Sequence, residues 1–169
     1  MKKPMIEYIK NGAYDELYTP KYAIEPLLKY LPKNIKIWEC TDFGKSNITK
    51  VLKENGYQVI STHKKEFDFL TDKANFDFDI IVTNPPYSLK DEFIKKCYEY
   101  NKPFALLLPL TSLEGIKRGQ MFKSNGIELI VLDKRVDFNG KGSCWYNTSW
   151  FCWNVLPQQL IFENLNKIA

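Results

Sequence analysis

Histidine is almost missing from this chain, and the few cysteines are scattered. His63 is the only histidine, and Cys40, Cys97, Cys144 and Cys152 contain no Cys-x-x-Cys pair. Neither a four-ligand zinc site nor a disulfide framework is therefore encoded, and the cysteines are expected to be buried, reduced thiols. Arginine is also scarce: Arg118 and Arg135 are the only two, so the net charge of +4 is carried almost wholly by lysine. A charge of this size permits a nucleic-acid partner without requiring one, and a solvated lysine-rich surface is the other reading. No apolar run approaches the roughly 18 residues needed to span a bilayer. Met1-Lys2-Lys3-Pro4-Met5 leads into charged and polar residues instead of an apolar signal core, so the expectation is a cytoplasmic chain with no membrane partner. Internal repeats, low-complexity tracts and linkers are absent as well, which predicts one domain over 1–169.

What is present is an ordinary globular composition, 44% hydrophobic and 15% aromatic, with the periodicity of alternating strands and helices. Thr19 as cap and Pro20 at the first helical position predict a helix through Leu31, kinked at Pro26. Strands are expected over 35–39, 57–61, 77–83, 104–108 and 127–132, with helices over 46–54, 90–100 and 113–124. Asn55-Gly56 stops the second helix. This alternation predicts an α/β fold with a doubly wound, mostly parallel, Rossmann-like sheet. Residues 135–138 and 148–155, joined by a glycine-bearing loop, read as an antiparallel hairpin at the end. Within 148–155, alternation places Phe151 and Trp153 on one face and Trp150 and Cys152 on the other.

In an open parallel sheet, ligands sit beyond the carboxyl ends of the strands. The buried-looking strand over 77–83 is followed by Asn84-Pro85-Pro86-Tyr87. Two consecutive prolines fix a tight turn, from which Asn84 and Tyr87 project. Taken alone, the tetrapeptide is also a rigid strand exit with a surface aromatic. At this place in the fold it resembles the motif of the class I S-adenosylmethionine-dependent amino methyltransferases, specifically the N6-adenine enzymes. The order of motifs from Tyr18 to Trp153 is similar to that of the short phage-type adenine methyltransferases.

The resemblance implies a seven-stranded class I methyltransferase sheet, S-adenosylmethionine as cofactor and a catalytic turn made of Asn84, Pro85, Pro86 and Tyr87. The lone pair of an exocyclic adenine amine is delocalised into the ring. Acceptors such as the Asn84 side-chain oxygen and the Pro85 carbonyl stabilise the positive charge that develops as this nitrogen attacks. Tyr87 would stack on the base, and Trp145 or Tyr146 would form the far wall of its pocket. By the same resemblance Tyr18, Thr19 and Pro20 touch the methionine end of the cofactor, and the loop carrying Glu39, Cys40, Thr41 and Gly44 receives it. This loop keeps one glycine where the family pattern has two or more, and is one residue longer. His63 stands where the pattern has an acid for the ribose hydroxyls, and a surface histidine is its alternative reading. Asp68 would accept from the cofactor's amino group while Phe69 covers its ring.

The motif order implies DNA as the nucleic-acid partner, with RNA adenine or a protein glutamine amide as alternatives, since all present an amine on an sp2 carbon. No separate target-recognition domain is expected within 1–169, which implies limited sequence specificity. A non-catalytic nucleic-acid-binding module is the alternative from another class, motivated by the glycine-poor loop and His63.

Overall fold

The computed structural model describes residues 18–142 and 146–166. Seven strands form one sheet: β1 (Lys36–Glu39), β2 (Gln58–Ser61), β3 (Ile80–Thr83), β4 (Phe104–Pro109), β5 (Glu128–Leu132), β6 (Thr148–Trp153) and β7 (Leu160–Glu163). Their order across the sheet is β2-β1-β3-β4-β6-β5-β7. All neighbours are parallel except β6, which runs antiparallel to both β4 and β5. The fold is thus the expected mixed α/β, mostly parallel sheet.

Every residue of β3 and β4 is buried, as continuous apolar runs in the middle of a parallel sheet require. One face is covered by the N-terminal segment and by α2 (Asn47–Glu54), with Ile24, Leu27, Ile48 and Leu52 packed on Ile37, Val82 and Leu107. The opposite face is covered by α3 (Lys90–Tyr100) and α4 (Ile116–Asn125), which close over an aromatic layer centred on Trp38. Trp38 makes edge contacts with Phe67, Phe69, Phe76 and Tyr100 at centroid distances of 5.0–5.6 Å. Phe151 lies in this aromatic layer with Trp153 packed against it, while Trp150 and Cys152 belong to the other face, as alternation predicts.

Four expectations need correction. The helix predicted from Thr19 to Leu31 is a 3-10 turn at Lys21–Ala23 followed by the single-turn α1 (Glu25–Leu28). Pro20 precedes the first turn in extended conformation, Thr19 makes no capping bond, and Pro26 sits at the start of α1, where it leaves no room for a longer helix before it. Helix α4 begins at Ile116 instead of 113, because Leu110–Leu113 is a 3-10 turn and Gly115 has φ +125. Residues 135–138 form no strand. Both edges of β5 are already taken by β6 and β7, so this segment bonds through side chains instead: Arg135 Nε to Asn147 Oδ1, and the Tyr22 hydroxyl with the Asp137 amide. The predicted terminal hairpin is consequently a single strand, β6, inserted between β4 and β5. Edge strand β7 was not predicted.

Candidate active site

The carboxyl ends of β1, β2 and β3 are tied together by a network centred on Glu39, the last residue of β1, which is 1% exposed. Its Oε1 accepts from the Thr41 amide at 2.9 Å and the Thr83 hydroxyl at 2.7 Å, and its Oε2 accepts from Ser46 Oγ at 2.6 Å. The Thr41 hydroxyl lies 2.7 Å from Thr83 Oγ1. The Thr41 hydroxyl also lies 3.1 Å from Glu39 Oε1, so the two threonine hydroxyls and the carboxylate form one closed cluster. Burial pushes the Glu39 carboxyl up, and the bonds from Ser46, Thr83 and Thr41 offset this only in part.

Asp42 gives the glycine-poor loop its shape. Its Oδ1 accepts from the amides of Gly44 (2.7 Å) and Ser46 (3.0 Å), and its Oδ2 from Thr49 Oγ1 (2.6 Å). Burial raises the Asp42 carboxyl, but the bonds from Thr49, Ser46 and Gly44 prevail and hold it below its ordinary range. Gly44, at φ +87, supplies the one left-handed residue of the turn. Ser46 then caps α2 by accepting from the Thr49 amide. The Asn47 side chain reaches back to the Thr19 carbonyl at 2.9 Å, which fixes the N-terminal segment against this loop.

A cavity of about 390 Å³ opens here, within the ~300–1,000 Å³ typical of small-molecule sites. Tyr18, Thr19, Glu39, Cys40 and Thr41 line it from the N-terminal segment and the first loop. His63, Asp68 and Phe69 line it from the second strand's side, and Asn84 and Pro86 from the Pro-Pro turn. Phe43, Ser46, Ile48, Lys64, Leu70, Ser88, Leu89 and Phe93 complete the wall and were not among the candidate site residues of the sequence. Phe43 had a signal, since it stands within the loop where glycines were expected. Phe93 had none, as it reads like any apolar residue on a helix.

Five sequence candidates among the described residues stand outside the lining: Pro20, Gly44, Pro85, Tyr87 and Tyr146. Pro20 leads into the 3-10 turn, Gly44 acts through the loop backbone, and Pro85 is buried. Tyr87 and Tyr146 are brought together edge to face, centroids 5.8 Å apart at 87°. Trp145 lies outside the described residues. Phe69 is 2% exposed and stacks on Phe93 at 4.9 Å, so most of its ring is core and only part faces the cavity. One Asp68 oxygen, Oδ1, already accepts from the Leu70 amide at 2.9 Å. Two lining residues, Asn84 and His63, each carry a side-chain atom, Oδ1 and Nε2, that is buried without a hydrogen-bond partner. Buried polar groups are nearly always satisfied, so an unpaired one beside a cavity marks where a ligand that reached it would gain a hydrogen bond.

Cys40, Cys97 and Cys152 are free thiols, buried as expected, and burial pushes each of them up. Cys144 lies outside the described residues. Among the described residues no cluster of His, Cys, Asp and Glu is placed to hold a metal ion, and no helix is long and apolar enough to cross a membrane.

The architecture is shared with solved methyltransferases. The methyltransferase subunit of the type I restriction-modification system of Streptococcus thermophilus is similar over 94% of this chain and 50% of its own, with TM-score 0.54 and 16% identity. A protein described as a modification subunit of a type I restriction enzyme from Vibrio vulnificus covers 96% and 50% at TM-score 0.55 and 10% identity. One described as a class I S-adenosylmethionine-dependent methyltransferase, from Listeria monocytogenes, covers 90% and 67% at TM-score 0.54 and 13% identity. The chain thus has the Rossmann-like fold of the class I methyltransferases, and it spans about half the length of the two restriction-system subunits. No family model and no curated protein matches the sequence.

Proposed function

We propose that this chain is an S-adenosylmethionine-dependent methyltransferase acting on the exocyclic N6 amine of adenine in DNA. The observation that carries the reading is Asn84 Oδ1, a buried acceptor with no partner at the carboxyl end of β3, on the wall of the cavity. The residues present fit the cofactor. The cavity has the right size class, and the Tyr18-Thr19 segment is pinned beside the Glu39 loop, which joins it in the lining.

When bound, the cofactor supplies an electrophilic methyl group on a sulfonium. Asn84 Oδ1 and the Pro85 carbonyl accept from the two amino hydrogens and so favour the nitrogen as positive charge builds on it. The turn holds these acceptors rigidly, and alignment of this kind supplies roughly 7–11 kcal/mol of a transfer barrier. No titrating base is needed at Asn84, since the product ammonium is acidic and releases its proton late. Tyr87 and Tyr146 offer ring surfaces for the base, each such contact worth about 1–3 kcal/mol. Two features support DNA as the substrate. The loops beyond β1 and β2 carry the exposed lysines Lys45, Lys64 and Lys65, and the restriction-system subunits that share the fold are named for modification in such systems.

The test is incubation with methyl-labelled cofactor and, in parallel, duplex DNA, single-stranded DNA, transfer RNA and protein, followed by nucleoside analysis. Label recovered as N6-methyldeoxyadenosine is the expected result. Label only in RNA or protein overturns the substrate assignment, and no binding of cofactor overturns the enzyme.

A further inference from the structure

Strand β7 ends the sheet on the side away from the cavity. It is last in the strand order and pairs only with β5, in parallel, from Leu129 beside Leu160 to Leu132 beside Glu163. The Leu129 amide donates to the Gln159 carbonyl at 2.8 Å, and the Asp133 amide to the Glu163 carbonyl at 3.0 Å. Backbone groups of alternate residues point to the same edge of a strand, so Gln159, Ile161 and Glu163 face β5. The N–H and C=O of Leu160 and Phe162 therefore point outward, where no strand of the described residues meets them.

The side chains of this edge are as open as its backbone. The Glu163 carboxylate accepts from Lys29 Nζ and the Tyr30 hydroxyl, which fixes it on the face of the N-terminal segment. A period of two puts Leu160 and Phe162 on the opposite face, where they are 48% and 73% exposed. Edge strands are ordinarily guarded against pairing with another chain by lysine, by proline or by a bulge. Here that guard is missing: the chain has 24 lysines and arginines, yet none stands between Lys141 and Lys167, and Pro157 precedes the strand instead of interrupting it.

The edge is also complementary to itself. We infer that β7 is the surface through which two copies of this chain pair, antiparallel, about a two-fold axis at Ile161. This register sets Leu160 opposite the partner's Phe162, and Phe162 opposite the partner's Leu160. Both residues turn their backbone outward, so each pair exchanges an N–H and a C=O in both directions, and leucine packs on phenylalanine at a Cβ separation of about 4.5–5.5 Å. Sliding the register by two residues would set one of the apolar side chains against Gln158 or Asn164 instead. No like charges meet, since Glu163 is engaged on the other face by its own chain. One patch thus serves both sides of the contact, as a two-fold interface requires. Antiparallel pairing turns the carboxyl ends of the two sheets to opposite sides, and β7 lies five strand spacings from β1, about 24 Å at ~4.8 Å each. Both cavities stay open, each toward its own substrate, so the pairing stands independently of the proposed function.

The experiment is sedimentation equilibrium of the full chain from low micromolar to several hundred micromolar concentration. So short a strand pair belongs to the weak class of interfaces, and wild type is expected to pass from monomer to dimer across this range. Leu160→Glu and Phe162→Lys each place a charge on an exposed side chain and should raise the dissociation constant about tenfold or more. The double variant Leu160→Glu/Phe162→Lys sets opposite charges across both pairs; it should recover most of the association and lose it again in high salt. Thermal melts of the variants are expected to match wild type under conditions where all are monomeric. Wild type that remains monomeric throughout overturns the inference, as does a dimer that both single variants leave unchanged. A double variant that associates more weakly than either single variant overturns the pairing centred on Ile161.

Discussion

Asn84→Ala separates activity from stability. In the free protein Asn84 Oδ1 is buried and bonded to nothing, so deleting it breaks no hydrogen bond of that oxygen. A buried polar atom left unsatisfied costs about 1–3 kcal/mol, and the alanine variant is relieved of that penalty, less the packing lost with the amide. Stability is therefore expected to stay level or to rise by up to about 1 kcal/mol, equivalent to roughly 2–4 °C in Tm at this size. Catalysis should move the opposite way. Loss of one preorganised group facing developing charge costs roughly 2.7–4 kcal/mol, or 10²–10³ in kcat. The assay is single-turnover transfer of labelled methyl to DNA, paired with thermal melting and with calorimetry of cofactor binding. The expected outcome is a rate lower by two to three orders of magnitude, a Tm that does not fall and a cofactor affinity nearly intact. A variant that transfers methyl as fast as wild type refutes the role of Asn84. A variant whose rate and Tm fall together shows instead a residue that holds the turn.

Glu39 and Asp42 should impose opposite pH dependences on stability. Glu39 is held above the ordinary 4.5, so its contribution is fully present below that value and is lost as pH rises through its native pKa; in Glu39→Gln, urea melts should show a flatter decline above pH 4.5. Asp42 is held below the ordinary 3.8, so its contribution is present above that value and is lost as pH falls through its native pKa; Asp42→Asn should destabilise at neutral pH and converge with wild type in acid. Gly115→Ala should cost about 1–3 kcal/mol, because φ +125 is strained for alanine and the new Cβ would lie 2.7 Å from Arg118 Nη2; an unchanged melt would contradict this. Peptide-resolved alkylation should leave Cys40, Cys97 and Cys152 unmodified until denaturant is added, since burial suppresses their thiolates.

The parallel half of the sheet was readable because strands 1 to 4 and their helices carry clean local signals. Ser46 caps α2 where the polar loop ends, and α3 runs over the predicted 90–100 because Asn101 takes the left-handed stop. The Pro-Pro turn was readable for the same local reason. The C-terminal part was misread because its pattern is non-local. Residues 135–138 look as strand-like as 148–153, and only the filling of both β5 edges denies them a place. Strand β7 was missed because two of its four residues, Leu160 and Phe162, alternate outward and leave a short pattern with little contrast. Within the site, the backbone-facing residues were found and the shape-giving ones were not. Asp42 bonds two amides of its own loop and the Thr49 hydroxyl on α2, and nothing in a single sequence marks that work as different from a solvated aspartate.

The insertion of β6 between β4 and β5 sets a schedule for synthesis. β4 and β5 are made in succession, yet neither pairs with the other; the slot between them belongs to residues translated later. At about 5–20 residues per second, the interval from Phe104 to Trp153 is roughly 2–10 s. Once clear of the ribosome tunnel and until β6 is made, the six residues of β4, all buried in the finished sheet, present an open strand edge to whatever is nearby. A nascent chain paused before residue 148 would carry that sticky edge outside the ribosome tunnel. Translation speed across this stretch, and chaperone access to it, should therefore affect soluble yield.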